Sequence, residues 1–314
     1  MSLSPLPLPH LPINGVLPAL RQALSHGSAV LSAPPGSGKT TVVPLALLQE
    51  PWLANKKILM LEPRRLATRA AARRMASLLG ELVGKQVGYQ VRFERCSSAQ
   101  TRIEVVTEGI LTRRLQQDGA LDDVGLIIFD EFHERSLHAD LALALCLDLC
   151  QLREELRLLV MSATLDTAPL AQLLGGVPVI VGEGRQFAVA YSYLERPMEG
   201  RISAVTALGV RRMLQQHQGD LLVFLPGSGE IRETTHLLSE DPACADCLIL
   251  PLYGDLSPRE QDRAILPDSR GQRRIILATA IAETSLTIEG VTCVVDSGFS
   301  RLPSFDAASG LSRL

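Results

Sequence analysis

The stretch LIIFDEFHERS, Leu126 to Ser136, places Asp130, Glu131, His133 and Glu134 directly behind an apolar run. Three chemistries use such a set: a zinc protease helix, a magnesium site, or a helix cap. Zinc proteases need H-E-x-x-H, which puts two histidines one turn apart on one face. His133 and His138 are five residues apart, roughly 140° around a helix, so the zinc reading is set aside. An acidic residue ending a buried strand beside a phosphate loop can point at Mg²⁺ through its water shell, the role expected of Asp130. Glu131 then lies near a γ-phosphate and can polarise an attacking water. A capping role, with Asp130 as N-cap and His133 and Glu134 in the first turn, stays open beside this one.

The phosphate loop that such a site requires is present upstream. SAPPGSGKTT, Ser32 to Thr41, follows an apolar strand pattern and precedes a helical one. A glycine-rich turn at that junction presents backbone N–H groups and a helix N-terminus to a triphosphate. Gly36, Ser37, Gly38, Lys39, Thr40 and Thr41 are the expected ATP-binding residues. Lys39 would reach the β- and γ-phosphates, and the Thr40 hydroxyl would ligate Mg²⁺ beside Asp130. The usual G-x-x-x-x-G-K-[ST] pattern has Ala33 in place of its first glycine.

These residues need a scaffold, and the chain alternates in the way a parallel sheet demands. Ala29–Leu31, Lys57–Leu61, Ile103–Val106, Val124–Phe129 and Leu156–Met161 are short, mainly apolar runs, each followed or preceded by a longer helical pattern. Runs of this kind predict strands covered on both faces by helices. Gly175 to Gly184 reads as an interdomain region. Alternation restarts at FAVAYSYL and continues through DLLVFL, CLILPL, RRIILA and VTCVVDSG with helices between. Two α/β domains follow, over residues 1–183 and 184–314, which suits a chain of 314 residues.

Composition adds exclusions. With 46% hydrophobic and 21% charged residues the chain is globular, and it has no apolar run of about 18 residues that would predict a membrane span. MSLSPLPLPHLPING has no basic start and is broken by prolines, unlike a secretory signal. Cys244 and Cys247 form a lone CxxC without the second ligand pair zinc needs, so the six cysteines are expected as reduced cytosolic thiols. The net charge is −3, yet lysine is confined to Lys39, Lys56, Lys57 and Lys85, and arginines recur as pairs. Guanidinium forks suit phosphates.

With these motifs in place the chain resembles a DExH/DEAH-box helicase of superfamily two. PRRLATRAAARRMA resembles motif Ia, VGYQVRFE a segment of the DEAH branch, Thr107-Glu108-Gly109 motif Ib, and Asp130-Glu131-Phe132-His133 motif II. Ser162-Ala163-Thr164 resembles motif III, LVFLPG motif IV, and ATAIAETSLTIEGV motif V. Such a resemblance implies two RecA-like domains that clasp ATP and hold a single strand across their tops. It assigns strand phosphates to Arg64, Thr107 and Thr279, and coupling of the γ-phosphate site to the strand to Ser162 and Thr164, with His133 in the relay. Arg74 would stack on the base, opposite Ile265 where relatives carry an aromatic, and Ser285 and Thr287 would approach the nucleotide.

The resemblance therefore predicts an ATP-dependent, cytoplasmic RNA helicase core. Its cofactors would be ATP and Mg²⁺, and its partner single-stranded nucleic acid, RNA before DNA. A monomer without membrane attachment is expected. Motif VI, Q-R-x-G-R-x-G-R, does not occur in the sequence. Its arginine fingers are worth about 10³–10⁵ in rate, so a fragment with weak hydrolysis and an incomplete second domain is expected. The alternative is a nucleotide-gated clamp that grips a strand without productive turnover.

Overall fold

The computed structural model describes residues 9–117, 119–163, 167–184, 188–194, 200–283, 286, 288–301 and 304–313. They form two compact units, divided between Ala188 and Val189.

In the first unit the chain runs through α1 (Leu17–His26), β1 (Ala29–Ser32), α2 (Lys39–Leu47), β2 (Lys57–Glu62), α3 (Arg65–Leu78), β3 (Val87–Val91), β4 (Glu94–Cys96) and β5 (Ile103–Thr107). It continues through α4 (Glu108–Gln117), β6 (Val124–Phe129), α5 (Leu137–Leu152), β7 (Arg157–Ser162), α6 (Ala168–Leu173) and β8 (Val179–Val181). Eight strands form one sheet in the order β4-β3-β5-β2-β6-β7-β1-β8. All pairs are parallel except β3–β4.

Neighbouring residues of β2 point to opposite faces, and both faces are covered. Met60 packs with Leu24, Val43, Leu47 and Met75 of α1–α3. Leu59 and Leu61 pack with Leu111 of α4 and Ala142, Leu143 and Cys146 of α5. A strand buried on both sides carries few polar residues, which is why the runs are mainly apolar, with buried Glu104 in β5 paired to Arg114. The expected interdomain stretch is partly ordered sheet: β8 pairs with β1 at the edge.

β3 and β4 are a hairpin that propensity alone did not place. Gly88 is required there, because an added Cβ would sit 2.6 Å from the Cys96 carbonyl oxygen of the facing strand.

The second unit holds α7 (Ile202–Gln216), β9 (Asp220–Phe224), α8 (Ser228–Ser239), β10 (Leu248–Leu252), α9 (Pro258–Ile265), β11 (Arg274–Ala278), β12 (Val291–Asp296), β13 (Ser304–Asp306) and β14 (Leu311–Arg313). Its parallel sheet has the order β10-β11-β9-β12, and β13 and β14 form a separate antiparallel pair. Ala207 and Val210 of α7 and Ile231 and Leu238 of α8 pack on Leu221, Val223, Ile275 and Leu277. Arg274, 1% exposed, ties the strand starts together: it is paired with Asp220 and donates to the carbonyls of Ala264, Ile265, Leu266 and Glu289.

FAVAYSYL does not begin this alternation as a strand. Residues 188–194 carry no strand, and Val189, Tyr191 and Tyr193 are exposed. A period-two apolar pattern makes a strand only when a sheet edge pairs with it, and none does here among the described residues.

Candidate active site

The C-terminal ends of the first unit's strands bring the predicted chemistry together, as parallel α/β sheets do. Between β1 and α2 the loop turns through Gly36 at φ 74° and Gly38 at φ 97°, left-handed values that favour glycine. A Cβ on Gly38 would also meet Leu11 Cδ1 at 2.6 Å. The Ile13 N–H donates to the Ser37 carbonyl at 3.1 Å, so the residues before α1 brace the loop, a contact with no sequence signature. Ala33, at the place of the pattern's first glycine, is buried, and its N–H donates to the Ser162 carbonyl at 3.0 Å. Alanine fits that backbone. Thr41 lies in the first turn of α2, its N–H directed at the Gly38 carbonyl at 3.3 Å.

Lys39 opens α2 and is 3% exposed, while Asp130 follows β6 at 4% and Glu131 stands at 8%. Lys39 Nζ donates to Glu131 Oε1 at 2.9 Å, and Thr40 Oγ1 donates to Asp130 Oδ2 at 2.5 Å. The Glu131 N–H caps Asp130 Oδ1 at 2.9 Å, which fixes the carboxylate plane. Burial and the neighbouring Asp130 push the Glu131 carboxyl above the ordinary carboxylate range, against the lowering effect of Lys39. A carboxyl with raised proton affinity, buried beside a lysine and a loop of backbone donors, is suited to take a proton from water. The hydroxyl and carboxylate oxygens of Thr40 and Asp130 are hard donors. Two such protein ligands suit Mg²⁺, which keeps most of its shell as water and phosphate oxygen.

Glu62, which the sequence did not single out, ends β2 beside Asp130. It is fully buried, and neither carboxyl oxygen has a hydrogen-bond partner among the described residues. Burial, then Asp130, raises its carboxyl well above the usual range. Only the register of β2 against β6 reveals it.

His133 links this cluster to motif III. Its Nδ1 accepts from the Ala163 N–H at 3.3 Å and lies 3.3 Å from Glu131 Oε2. One nitrogen cannot accept from Ala163 and donate to Glu131 together, so the two contacts exclude each other. Ser162 is buried at the end of β7, opposite Ser32 in register, while Thr164 lies outside the described residues. The cap reading of Asp130 is corrected. A 3₁₀ turn spans Phe132–Glu134, and α5 is capped by Ser136, whose Oγ accepts from the Ala139 N–H at 2.9 Å.

The expected strand contacts separate. Arg64 stands at the N-cap of α3, with Nε and Nη2 donating to Glu134 Oε2 at 3.4 and 3.3 Å. Thr107 ends β5, and Arg74 is exposed on α3. In the second unit Thr279 follows β11 and lines a cleft of about 630 Å³ with Phe224, Tyr253, Phe299 and Arg301. Ser285 and Thr287 lie outside the described residues, and Ile265 ends α9. One further candidate emerges at the tip of the β3–β4 hairpin. Phe93 is 91% exposed, at φ 66°, with the Arg92 guanidinium 4.7 Å from its ring centroid. Behind it Glu94 accepts from Tyr89 Oη at 2.5 Å and from Arg69 Nη1 at 3.2 Å. An apolar ring in strained backbone at a hairpin tip has no packing role, and that was the available signal.

Comparison with known proteins agrees with this arrangement. The DEAD/DEAH box helicase profile matches residues 17–173, and the helicase conserved C-terminal domain profile matches residues 201–308. The ATP-dependent RNA helicase HrpB of Escherichia coli K12 is 52% identical over 306 residues, 97% of this chain and 38% of that protein. The ATP-dependent RNA helicase HrpA of Borreliella burgdorferi is 35% identical over 277 residues, 87% of this chain and 34% of that protein. A crystal structure of the E. coli DEAH/RHA helicase HrpB superposes with a TM-score of 0.87 at 51% identity, covering 97% of this chain and 39% of that one. The chain thus spans under two fifths of the relatives it matches. Its two units are RecA-like domains, and the chain belongs to the DEAD/DEAH box helicase family.

Proposed function

We propose that this chain is the ATP-binding core of an RNA helicase, which couples ATP hydrolysis to translocation along a single strand. The observation that carries the reading is the convergence of Lys39 and Thr40 with Glu131 and Asp130 at 2.9 and 2.5 Å from opposite ends of the sequence motifs. Lys39 and the loop N–H groups would bind the β- and γ-phosphates. Thr40 and Asp130 would hold Mg²⁺, which supplies charge neutralisation on the phosphate oxygens. Glu131, released from Lys39, would orient the attacking water and accept its proton. His133 would exchange its Ala163 contact for Glu131 as that carboxyl moves, passing the change toward Ser162 and Thr164.

Arg64, Thr107 and Thr279 are read as phosphate contacts, which give strong salt dependence and little sequence selectivity. Phe93 supplies a face on which a base can stack. Arg74 is read as the base-stacking residue at the nucleotide, with Ser285 and Thr287 toward the phosphates. A monomer in the cytoplasm fits the reading. The cysteines are free, and no helix among the described residues is long and apolar enough to cross a membrane.

The pairing of Lys39 with Glu131 also supports a second reading, a clamp that binds nucleotide without turning it over. Titrating fluorescent single-stranded RNA with and without a non-hydrolysable ATP analogue, then measuring ATP turnover with RNA, separates the cases. Coupled binding with RNA-stimulated turnover supports the helicase core. Coupled binding alone supports the clamp, and absent strand binding overturns both.

A further inference from the structure

The nucleotide residues and the expected strand contacts meet through a short segment that neither motif reading assigned. Arg64, expected on a strand phosphate, is held by Glu134 through Nε and Nη2 at 3.4 and 3.3 Å. Two residues on, Ser136 Oγ donates to Glu108 Oε2 at 2.8 Å, directly after Thr107, the second expected phosphate contact. Residues Glu134 to Ser136 are therefore tied to both strand-facing places. On the other side, the Glu134 N–H donates to the Glu131 carbonyl at 2.9 Å. The turn between is bracketed by two non-glycine residues in left-handed backbone, Glu131 at φ 49° and Arg135 at φ 48°. Such conformations persist only where the surroundings hold them. Here the holders are the Glu134 and Ser136 contacts, the edge-on packing of Phe132 against Phe129 with centroids 6.0 Å apart, and the Arg135–Asp140 pair at 2.8 Å.

We infer that Glu134 and Ser136 are positioning residues that report a strand phosphate at Arg64 and Thr107 to Glu131. The inference rests on the proposed function. A phosphate drawing on the Arg64 guanidinium competes with Glu134 for the same donors. Relaxing that pair frees the strained turn, and the turn carries Glu131 away from or toward Lys39. The pair is partly solvated, with side chains 28% and 18% exposed, so it can exchange partners without unfolding its surroundings.

The test compares the parent with Glu134→Gln, Ser136→Ala and their combination. Each is titrated with fluorescent single-stranded RNA, with and without a non-hydrolysable ATP analogue and Mg²⁺. Coupled sites change affinity by about 5–150-fold, and the double variant is expected to fall to about twofold or less. Its analogue affinity without RNA should match the parent's. Ser136→Thr, which keeps both the hydroxyl and the cap, should retain the coupling. A role in stability alone would lower the melting point and weaken both affinities together, and that result overturns the inference. So does a double variant as strongly coupled as a coupled parent. A parent whose RNA affinity ignores the analogue overturns the functional reading itself, and this inference with it.

Discussion

Replacing Glu131 by Gln should weaken the unliganded protein and strengthen its grip on nucleotide while abolishing turnover. Lys39 and Glu131 are 2.9 Å apart, with side chains 4% and 9% exposed. Removing one charge of a buried pair destabilises by about 3–5 kcal/mol when nothing replaces it. Glutamine keeps an accepting oxygen, so the expected loss is nearer the value of one charged hydrogen bond, about 1.5–3 kcal/mol. For a domain of this size a loss of 2 kcal/mol lowers the melting midpoint by about 4–8 °C. On the proposed reading Lys39 would face phosphate oxygens in the nucleotide complex, so the variant would lose less there. The difference appears as tighter binding, about three- to tenfold, since 1.4 kcal/mol is a factor of ten. Losing the proton acceptor should reduce turnover by about 10²–10⁴. Differential scanning fluorimetry, calorimetric titration of an ATP analogue with Mg²⁺, and RNA-stimulated ATPase measure the three effects. An unchanged midpoint with unchanged analogue affinity refutes the idea that Glu131 competes for Lys39, and unchanged turnover removes Glu131 from catalysis.

Phe93→Ala should weaken single-strand binding by about 1–3 kcal/mol, the worth of one stacked base, and leave analogue affinity intact, as fluorescence anisotropy would show. Arg274→Met should destabilise the second unit by about 3–5 kcal/mol in urea titration, because Asp220 Oδ2 and four carbonyls lose the guanidinium that donates to them. Glu62 carries a carboxyl raised by burial and by Asp130, so its folded value exceeds its unfolded value. Stability from this group is then greatest below the unfolded value of about 4.3 and falls as pH rises above it. Glu62→Gln should therefore gain midpoint over the parent between pH 5 and pH 8 in magnesium-free buffer, and parallel curves would count against burial as the cause. Burial pushes the Cys150 and Cys244 thiols up to about 11. Both should alkylate far more slowly than free cysteine at pH 8, and rates matching free cysteine would contradict their packing.

Sequence by itself determined what depends on local order. Period and run length placed β1, β2, β5, β6 and β7 and the helices between them, because strands buried on both faces are mainly apolar. GSGKT and DEFH named Lys39, Thr40, Asp130 and Glu131, since a phosphate loop and its acidic partner need fixed residue types at fixed points of a strand–loop–helix unit.

Tertiary structure decided what depends on which strands lie side by side. The order β2-β6-β7-β1 brings Asp130 to Thr40 and Glu131 to Lys39 across 90 and 92 residues of chain. It also buries Glu62 beside Asp130 and hands Arg64 to Glu134. Pairing likewise separated two similar apolar patterns. VIV became β8 because β1 offered it an edge, while AVAYSYL pairs with none among the described residues. A strand is completed by hydrogen bonds to a neighbour, and a site by charges from different strands. Neither partner is encoded near the residue that needs it.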